Sequence, residues 1–370
     1  MKFNVSSGEL VKSLSAVAGA VPAKATMPIL EMVLFESEDG KLKLSATDLE
    51  VTIVEYVSAE IEEEGSVAVP ARRLLDALRA LPDIPVSFMI DDRFNVVFKT
   101  DKGQYRLAGE DGNEFPETPS LTEAVDIETS TGIIRDAIMK TSFAVSTDDL
   151  RPAMMGVYFQ IGTEQSKVVA TDGHRLVKLT LSELKADYEI NFIVPDKALN
   201  LTSKSLDELE CVVSVTDQHV SFKSGNTQII ARLINQQYPN YETVIPRDND
   251  KNMIVGKDEL LATVKRVSIF SSSTSKQIRL RLEADELNIK AEDIDMSSEA
   301  EERLAAEYAD EPLEIGFNAR YLADVISNVN DSEVKFEFST PNRAGIVKPA
   351  SQEEGKDILM LVMPVMLNTY

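Results

Sequence analysis

The sequence predicts an α+β protein made of three similar units, each with two helices packed on antiparallel sheet. Two observations support this prediction. Short patterns return at a nearly constant distance along the 370 residues, and within a unit each helical pattern is followed by alternating strands. A chain of this length is also too long for a typical single domain. We therefore expect three domains, at residues 1–124, 125–249 and 250–370.

Three series of matching tripeptides define the repeat. Ala-Thr-Asp at 46–48 and 170–172 is followed by Ala-Glu-Asp at 291–293, at intervals of 124 and 121 residues. A second series begins at Val69, Val194 and Gly316, at intervals of 125 and 122. Glu-Phe-Pro at 114–116 and Gln-Tyr-Pro at 237–239 lie 123 residues apart. Three series in one order and at one spacing indicate a repeated structural unit.

The first unit contains two helical patterns, each followed by strands. Residues 9–21 have apolar side chains three or four positions apart, which is helical spacing. Pro70 precedes a second helix over residues 72–81, and Pro82 ends it. Alternation of apolar and polar residues predicts strands at 32–36, 41–45, 51–57, 86–90, 95–100 and 104–108.

Charge is unevenly distributed along the chain. The net charge of −24 would by itself argue against nucleic-acid binding, because an acidic surface repels phosphate. The six predicted helices are residues 9–21, 72–81, 131–145, 196–206, 257–270 and 318–329. They contain 12 Lys and Arg against 7 Asp and Glu, a net charge of +5, so the other residues carry −29. This bias predicts a basic surface formed by helices in an otherwise acidic protein.

Composition argues against a disulfide-stabilised or membrane protein. Cys211 is the only cysteine, so we expect a small buried hydrophobe and no disulfide framework. The N-terminal residues lack the apolar core of a signal peptide, and the longest apolar run, 358–367, is shorter than the roughly 20 residues of a membrane helix. We expect a soluble, cytoplasmic protein.

No pattern indicates an enzyme. A triad built on His174 and Asp172 lacks the Gly-x-Ser-x-Gly elbow, and sequence neighbours cannot form the relay unaided. Residues 248–259 partly match a calcium loop, but Met253 stands where the sharp turn requires Gly, so we interpret them as an interdomain linker. There is no phosphate loop, zinc spacing or dinucleotide fingerprint. We expect no catalytic residue, metal or cofactor.

Eight short stretches spread over the whole chain form a further pattern. They are Met-Lys-Phe (1–3), Thr-Met-Pro-Ile-Leu (26–30), Ala-Thr-Asp-Leu-Glu (46–50), Val-Pro-Ala-Arg (69–72), Ala-Thr-Asp-Gly-His-Arg-Leu (170–176), Tyr-Pro-Asn-Tyr (238–241), Ile-Gly-Phe-Asn (315–318) and Val-Met-Pro (362–364). In this set the chain resembles the bacterial sliding clamp family, the β subunits of DNA polymerase III. The 170–176 and 362–364 stretches are the most specific.

The resemblance implies the DNA clamp fold and a function. Family members form head-to-tail homodimers in which six domains close a ring around duplex DNA, with helices inward, and give processivity to the replicative polymerase. Binding through phosphates would be independent of sequence and sensitive to salt. Lys24 matches a family position whose basic side chain reaches DNA, and Arg72, Arg151 and Lys197 are further candidates for DNA-facing residues.

The resemblance also implies where two copies meet. The first domain of one chain would contact the third domain of the other, with edge strands pairing across the junction. The implied interface residues are Arg73, Tyr105, Arg106, Leu107, Ile269, Phe270, Glu299, Glu301 and Glu302.

A hydrophobic pocket is the third feature that the resemblance implies. In the family it accepts short peptides from the polymerase α subunit, the clamp loader, other polymerases and repair proteins. The matching positions are Met154, Thr171, Gly173, His174, Arg175, Leu176, Pro239, Thr243, Val244, Arg343, Met363, Pro364 and Val365. The chain departs from the family at Met366, a position that is often basic, and in the Asn368-Thr369-Tyr370 extension.

Other interpretations of these residues stay open at this stage. Met154 and Leu176 could be plain core, and residues 363–365 an edge strand. The whole chain could be an acidic multidomain interaction scaffold that does not encircle DNA. A hydrolase built on His174 is the third alternative.

Overall fold

The computed structural model of the protein describes residues 1–367, and the Asn368-Thr369-Tyr370 extension lies outside the described residues. The α-helices of the described part are α1 Ser7–Val17, α2 Ala71–Arg79, α3 Thr131–Thr141, α4 Asp196–Ser205, α5 Lys257–Ser268 and α6 Ala319–Ser327. Short 3₁₀ helices span Pro28–Glu31, Gly112–Glu114, Ser142–Ala144, Pro152–Met155 and Tyr241–Val244.

The strands alternate with these helices along the chain. They are β1 Lys2–Ser6, β2 Met32–Glu38, β3 Lys41–Thr47, β4 Val51–Val57, β5 Glu60–Glu63, β6 Ser66–Pro70, β7 Pro85–Ile90, β8 Asn95–Lys99, β9 Gln104–Ala108, β10 Glu110–Asp111, β11 Val125–Ser130, β12 Gly156–Ile161, β13 Ser166–Thr171, β14 Arg175–Leu181, β15 Ile190–Pro195, β16 Glu210–Val215, β17 His219–Ser224, β18 Thr227–Arg232, β19 Lys251–Gly256, β20 Gln277–Glu283, β21 Glu286–Asp293, β22 Ser298–Ala305, β23 Glu307–Tyr308, β24 Leu313–Asn318, β25 Glu333–Phe338, β26 Gly345–Pro349 and β27 Lys356–Val362. The expected linker at 248–259 therefore contains β19 and the start of α5, which corrects that interpretation.

All six predicted helices are present, and the differences lie at their ends. Helix α1 begins two residues earlier than predicted because the Ser6 hydroxyl accepts a hydrogen bond from the Glu9 amide at 3.4 Å and caps the helix. It ends at Val17, after which the Ala20 amide donates to the Val17 carbonyl at 3.0 Å in a tight turn. Helix α3 ends at Thr141, where a 3₁₀ helix takes over. Periodicity continued past these ends, so it could not locate them.

The described residues fold into two compact units, residues 1–135 with 194–233, and residues 136–193 with 234–367. The first unit contains a five-stranded sheet, β5-β1-β7-β8-β9, and a nine-stranded sheet, β10-β6-β2-β3-β4-β18-β17-β16-β11. The second contains a nine-stranded sheet, β15-β12-β13-β14-β27-β26-β25-β19-β23, and a four-stranded sheet, β22-β21-β20-β24. Helix α1 packs on α2, β3 and β4, while α5 packs on α6 and the four-stranded sheet.

Each nine-stranded sheet joins strands that are distant in the sequence. In the first unit β4 pairs with β18, so that Ile53 lies opposite Ile229. In the second unit β14 pairs with β27, so that Leu176 lies opposite Leu361. Both pairings cover strand edges that would otherwise be open to another chain. Alternation predicts strands but not their distant partners, so the sequence did not reveal these two continuous sheets.

The repeated tripeptides correspond to repeated structure. The Thr47 hydroxyl accepts a hydrogen bond from the Leu49 amide at 3.0 Å, and the Asp48 carboxylate accepts from the amides of Glu50 and Val51 at 3.0 and 2.8 Å. Such side-chain bonds to the backbone two or three residues on define a tight turn between strands. Leu49 adopts φ +77°, a conformation that favours glycine. The second copy of this turn, at 171–175, contains Gly173 at the same place.

The other two series mark helix starts and core aromatics. Pro70, Pro195 and Asn318 each end a strand and directly precede α2, α4 and α6. Phe115 is 6% exposed and packs with Ile29, Leu30, Leu34 and Ala68. Its counterpart Tyr238 is 8% exposed in the second unit.

Cys211 is buried in β16, as expected for a small hydrophobe, and burial raises the pKa of its thiol to about 11. None of the helices within residues 1–367 has the length and apolar character needed to cross a membrane.

Candidate functional site

The turn 171–175 in the second unit forms the centre of the candidate site. The Thr171 hydroxyl accepts from the Gly173 amide at 3.1 Å, and Asp172 Oδ1 accepts from the amides of His174 and Arg175 at 2.8 and 2.9 Å. These are the bonds of the 47–51 turn. Gly173 adopts φ +87°, so glycine suits this copy. The turn is therefore held by its own side chains, and the His174 side chain is exposed.

The C-terminal segment 363–365 lies directly beside this turn. Strand β27 ends at Val362, which pairs with Arg175, and the Met363 amide then donates to the His174 carbonyl at 2.8 Å. Two residues further on, the Val365 amide donates to the Gly316 carbonyl at 2.9 Å. A Cβ added at Gly316 would lie 2.9 Å from the Val365 carbonyl oxygen, so glycine permits this close approach.

An apolar cluster connects this turn with two other predicted segments. Its buried members are Val169, Leu176, Ile193, Tyr238, Tyr241, Ala344 and Leu361. Tyr238 precedes Pro239, Tyr241 begins the 3₁₀ helix that contains Thr243 and Val244, and Ala344 follows Arg343. Leu176 is 1% exposed, so it belongs to the buried core on which the exposed residues of the site rest.

The exposed part of the site contains apolar side chains. Met363 is 39% exposed and Val244 50%, and Pro239 and Pro364 are half-buried. A bound molecule could bury these apolar side chains. A flexible methionine can adjust to several related ligands.

Two further predicted pocket residues, Met154 and Arg343, lie on other segments of the fold. Met154 is half-buried in the 3₁₀ helix Pro152–Met155, which packs against β12. Arg343 is exposed and forms an ion pair with Asp248. Its charge is therefore partly neutralised within the chain.

Arg175 is the buried charge of the site, 8% exposed. Its Nε donates to Asp172 Oδ2 at 3.2 Å, and its Nη1 donates to Asp324 Oδ2. The guanidinium carbon lies 5.4 Å from the ring centre of Phe143 and 5.1 Å from that of Tyr321. Two carboxylates and two rings thus compensate the cost of burying this cation.

Three of these contact residues were not predicted from the sequence. Phe143, Tyr321 and Asp324 were not selected, although Tyr321 and Asp324 fall three residues apart on the predicted helix 318–329. That spacing places both on one helix face and was the only available signal. Nothing in the sequence indicated which residues this face would meet.

The predicted DNA-facing residues are exposed and dispersed. Lys24 lies in the loop before Pro28, and Arg72 and Lys197 are the second residues of α2 and α4. Lys197 forms an ion pair with Asp48, yet its side chain is 56% exposed. Arg151 pairs with Asp148 at 2.9 Å and lies beside Gly173, close to the candidate site.

The predicted interface residues lie on two edge strands, on helix α2 and directly after helix α5. Tyr105, Arg106 and Leu107 belong to β9, the edge of the five-stranded sheet, while Glu299, Glu301 and Glu302 belong to β22, the edge of the four-stranded sheet. Arg73 is exposed on α2. Ile269 and Phe270 follow α5 and are 77% and 40% exposed.

The three glutamates already have partners in their own chain. Glu299 pairs with Lys290 at 3.1 Å, and Glu301 accepts from the Asn288 amide group at 2.6 Å. Glu302 accepts from Arg266 Nε at 3.0 Å, and hydrogen bonding to Arg266 holds the pKa of the Glu302 carboxyl below its usual range. Glu299 and Glu302 are therefore neutralised by cations of their own chain, whereas the partner of Glu301 is a neutral amide.

Comparison with known proteins identifies the family. Models of the N-terminal, central and C-terminal domains of the DNA polymerase III beta subunit match residues 1–119, 128–240 and 242–365. The beta sliding clamp of Vibrio cholerae is 30% identical, and the match covers 99% of this chain and all of that protein.

Solved structures agree. The DNA polymerase III beta subunit of Pseudomonas aeruginosa superposes with a TM-score of 0.93 at 31% identity, covering 99% of this chain and 100% of that one. A Pseudomonas aeruginosa sliding clamp bound to griselimycin gives a TM-score of 0.93 at 30% identity, with the same coverage. With three domain models matched in order and relatives matched over their whole length, the chain belongs to the DNA polymerase III beta subunit family, the bacterial sliding clamps.

Proposed function

We propose that this chain is a non-catalytic, cytoplasmic sliding clamp that encircles duplex DNA as a head-to-tail homodimer and gives processivity to the replicative polymerase. The observation that carries the proposal is the full-length match to three successive beta-subunit domains. We propose the domain division 1–124, 125–249 and 250–370, within which each domain supplies two of the six described helices. The ring would close through the two edge strands β9 and β22.

Helix charge supports contact with DNA. Arg72 and Lys197 stand at the second position of their helices, where the positive end of the helix dipole disfavours a cation by roughly 0.3–1 kcal/mol. Helix stability therefore does not explain why cationic residues occupy these two positions. A ligand rich in phosphate would compensate the unfavourable position of Arg72 and would compete with Asp48 for Lys197, and duplex DNA is such a ligand.

We infer that the site around the 171–175 turn binds short peptides from partner proteins. Exposed Met363 and Val244 offer apolar contacts, and the His174 and Met363 backbones are tied together by a hydrogen bond of 2.8 Å. The expected partners are the polymerase α subunit, the clamp loader, other polymerases and repair proteins. A fluorescent peptide of the Gln-Leu-x-Leu-Phe type is a suitable probe for this site.

Retention on circular DNA tests the clamp function. The protein is loaded with a clamp loader onto nicked circular DNA, free protein is removed, and half of the sample is linearised. We expect the protein to stay on the circle and to leave the linear molecule, because a ring is held by topology. An acidic interaction scaffold would show no difference between the two DNA forms, and that result would favour the alternative function.

Charge reversal at Lys24 and Lys197 tests the DNA-facing surface. We expect the Lys24→Glu/Lys197→Glu protein to load less efficiently and with a weaker dependence on salt, because each lost phosphate contact lowers the salt slope by about 0.9. Both side chains are exposed, so the melting temperature should change little. Loading is measured over a salt series. Normal loading by a folded double variant would show that these lysines do not face DNA.

A further inference from the structure

One face of helix α6 contacts the side chains of both His174 and Arg175 in the 171–175 turn. The Tyr321 ring stacks on the His174 ring with centres 5.3 Å apart and planes at 10°. The same ring lies 5.1 Å from the Arg175 guanidinium carbon, and Asp324 accepts a hydrogen bond from Arg175. Because Tyr321 and Asp324 are three residues apart, they share this helix face.

Helix α6 is itself well anchored. The Asn318 side-chain oxygen accepts from the amides of Arg320 and Tyr321 at 3.0 and 3.4 Å and caps the first turn. Its side chains Leu322, Val325 and Ile326 are completely buried. The helix can therefore serve as a fixed support for the turn.

The same helix is connected to the other wall of the site. Gly316 accepts from the Val365 amide and lies in β24, the strand that leads into α6. Met363 donates to the His174 carbonyl at 2.8 Å, so segment 363–365 is held at one end by the turn and at the other by β24. A shift of the turn relative to α6 would therefore change the distance between the turn and segment 363–365, the two walls that a bound peptide would contact.

We propose that Asp324 is a positioning residue of the candidate peptide site. It fixes the Arg175 guanidinium against Tyr321, and through the turn it sets the place of His174 and of the Met363 backbone. The inference rests on the proposed peptide-binding function for its ligand. The bond joins a buried cation to a carboxylate whose side chain is 40% exposed, so its loss should loosen the turn without unfolding the domain.

The Asp324→Asn variant removes the charge and keeps the shape. We expect its affinity for the Gln-Leu-x-Leu-Phe type peptide to fall about tenfold, because a misplaced turn weakens contacts to several anchors at once. Asp324→Glu retains a carboxylate and should restore binding to within about threefold of the parent. Asp136→Asn is the matched control. It breaks a 3.0 Å ion pair with Lys356 in the same unit and should leave the affinity unchanged.

Histidine NMR reports on the geometry without any ligand. The chain has two histidines, His174 in the turn and His219 in β17. The Tyr321 ring lies against the imidazole of His174, so the ring current shifts the His174 signals. In Asp324→Asn we expect the His174 signals to move and those of His219 to stay. In Asp324→Glu both should remain close to the parent positions.

The outcomes separate this inference from the proposed function. If the parent protein fails to bind the peptide, the peptide-binding function is wrong, while the histidine signals still decide whether Asp324 positions the turn. Unmoved His174 signals in Asp324→Asn, or parental affinity in that variant, would overturn the inference. If the Asn and Glu variants lose the same amount of peptide affinity and the His174 signals do not move, the inference is also overturned. That result would reflect weakening of α6 alone.

Discussion

A protein carrying His174→Ala and Met363→Ala should bind the partner peptide about a hundredfold more weakly than the parent while remaining a folded dimer. His174 lies exposed on the turn, and Met363 is 39% exposed on the adjacent segment. Each apolar anchor of a peptide that is buried contributes roughly 1.5–3 kcal/mol, which corresponds to about tenfold or more in affinity. The two substitutions remove contacts on both walls. The measurement is a titration of the fluorescent Gln-Leu-x-Leu-Phe type peptide.

Point substitutions test the site more cleanly than deletion of residues 363–370. Deletion would remove the hydrogen bond between the Val365 amide and the Gly316 carbonyl. This bond lies next to the end of strand β27, where Met360 and Val362 are fully buried, so its loss could destabilise the second unit. The control is His219→Ala/Met296→Ala, which removes the other histidine and a methionine that is 76% exposed. It should bind as the parent does. If a dimeric His174→Ala/Met363→Ala protein binds the peptide with parental affinity, the pocket has been assigned to the wrong residues.

Local patterns in the sequence predicted most of the fold. Helical periodicity and the repeat located all six helices, and the matching tripeptides indicated a repeated unit, whose recurring turns at Asp48 and Asp172 are seen only in the structure. The pairing of β4 with β18 and of β14 with β27 was not predicted. Strand alternation reports which side chains face a core, and it contains no information about a partner strand far along the chain.

The candidate site was predictable to a similar extent. Resemblance supplied the 170–176 and 362–364 segments, and the structure joins them through the His174 and Met363 backbones. The burial of Arg175 and its contacts with Asp324 and Tyr321 depend on how α6 packs in three dimensions. Arginine side chains are rarely buried unless they are paired, and the sequence did not indicate the partners that bury Arg175.

Ring closure should depend on apolar contacts more than on ion pairs. Tyr105 stacks on Phe98 with ring centres 4.6 Å apart, which holds an exposed aromatic side chain in place for a partner. Ile269 is 77% exposed at the end of α5. By contrast Glu302 is already bound by Arg266, so a new partner would have to replace an existing ion pair. The apolar residues therefore have more to gain from burial.

Replacing Ile269 by Asp should convert the dimer into monomers at concentrations where the parent is a dimer. A closed two-subunit ring would bury this side chain at both interfaces, so losing roughly 1.5–3 kcal/mol at each raises the dissociation constant about a hundredfold to ten-thousandfold. Glu302→Gln should change it less than about threefold, because its carboxylate is neutralised within the chain. Leu209→Asp, at a leucine that is 87% exposed in the other unit, is the matched control and should stay dimeric. Mass is measured by light scattering and sedimentation during dilution, together with retention on circular DNA. A dimeric Ile269→Asp protein at nanomolar concentration, or a large loss with Glu302→Gln alone, would show that the subunits meet elsewhere or are held mainly by charge.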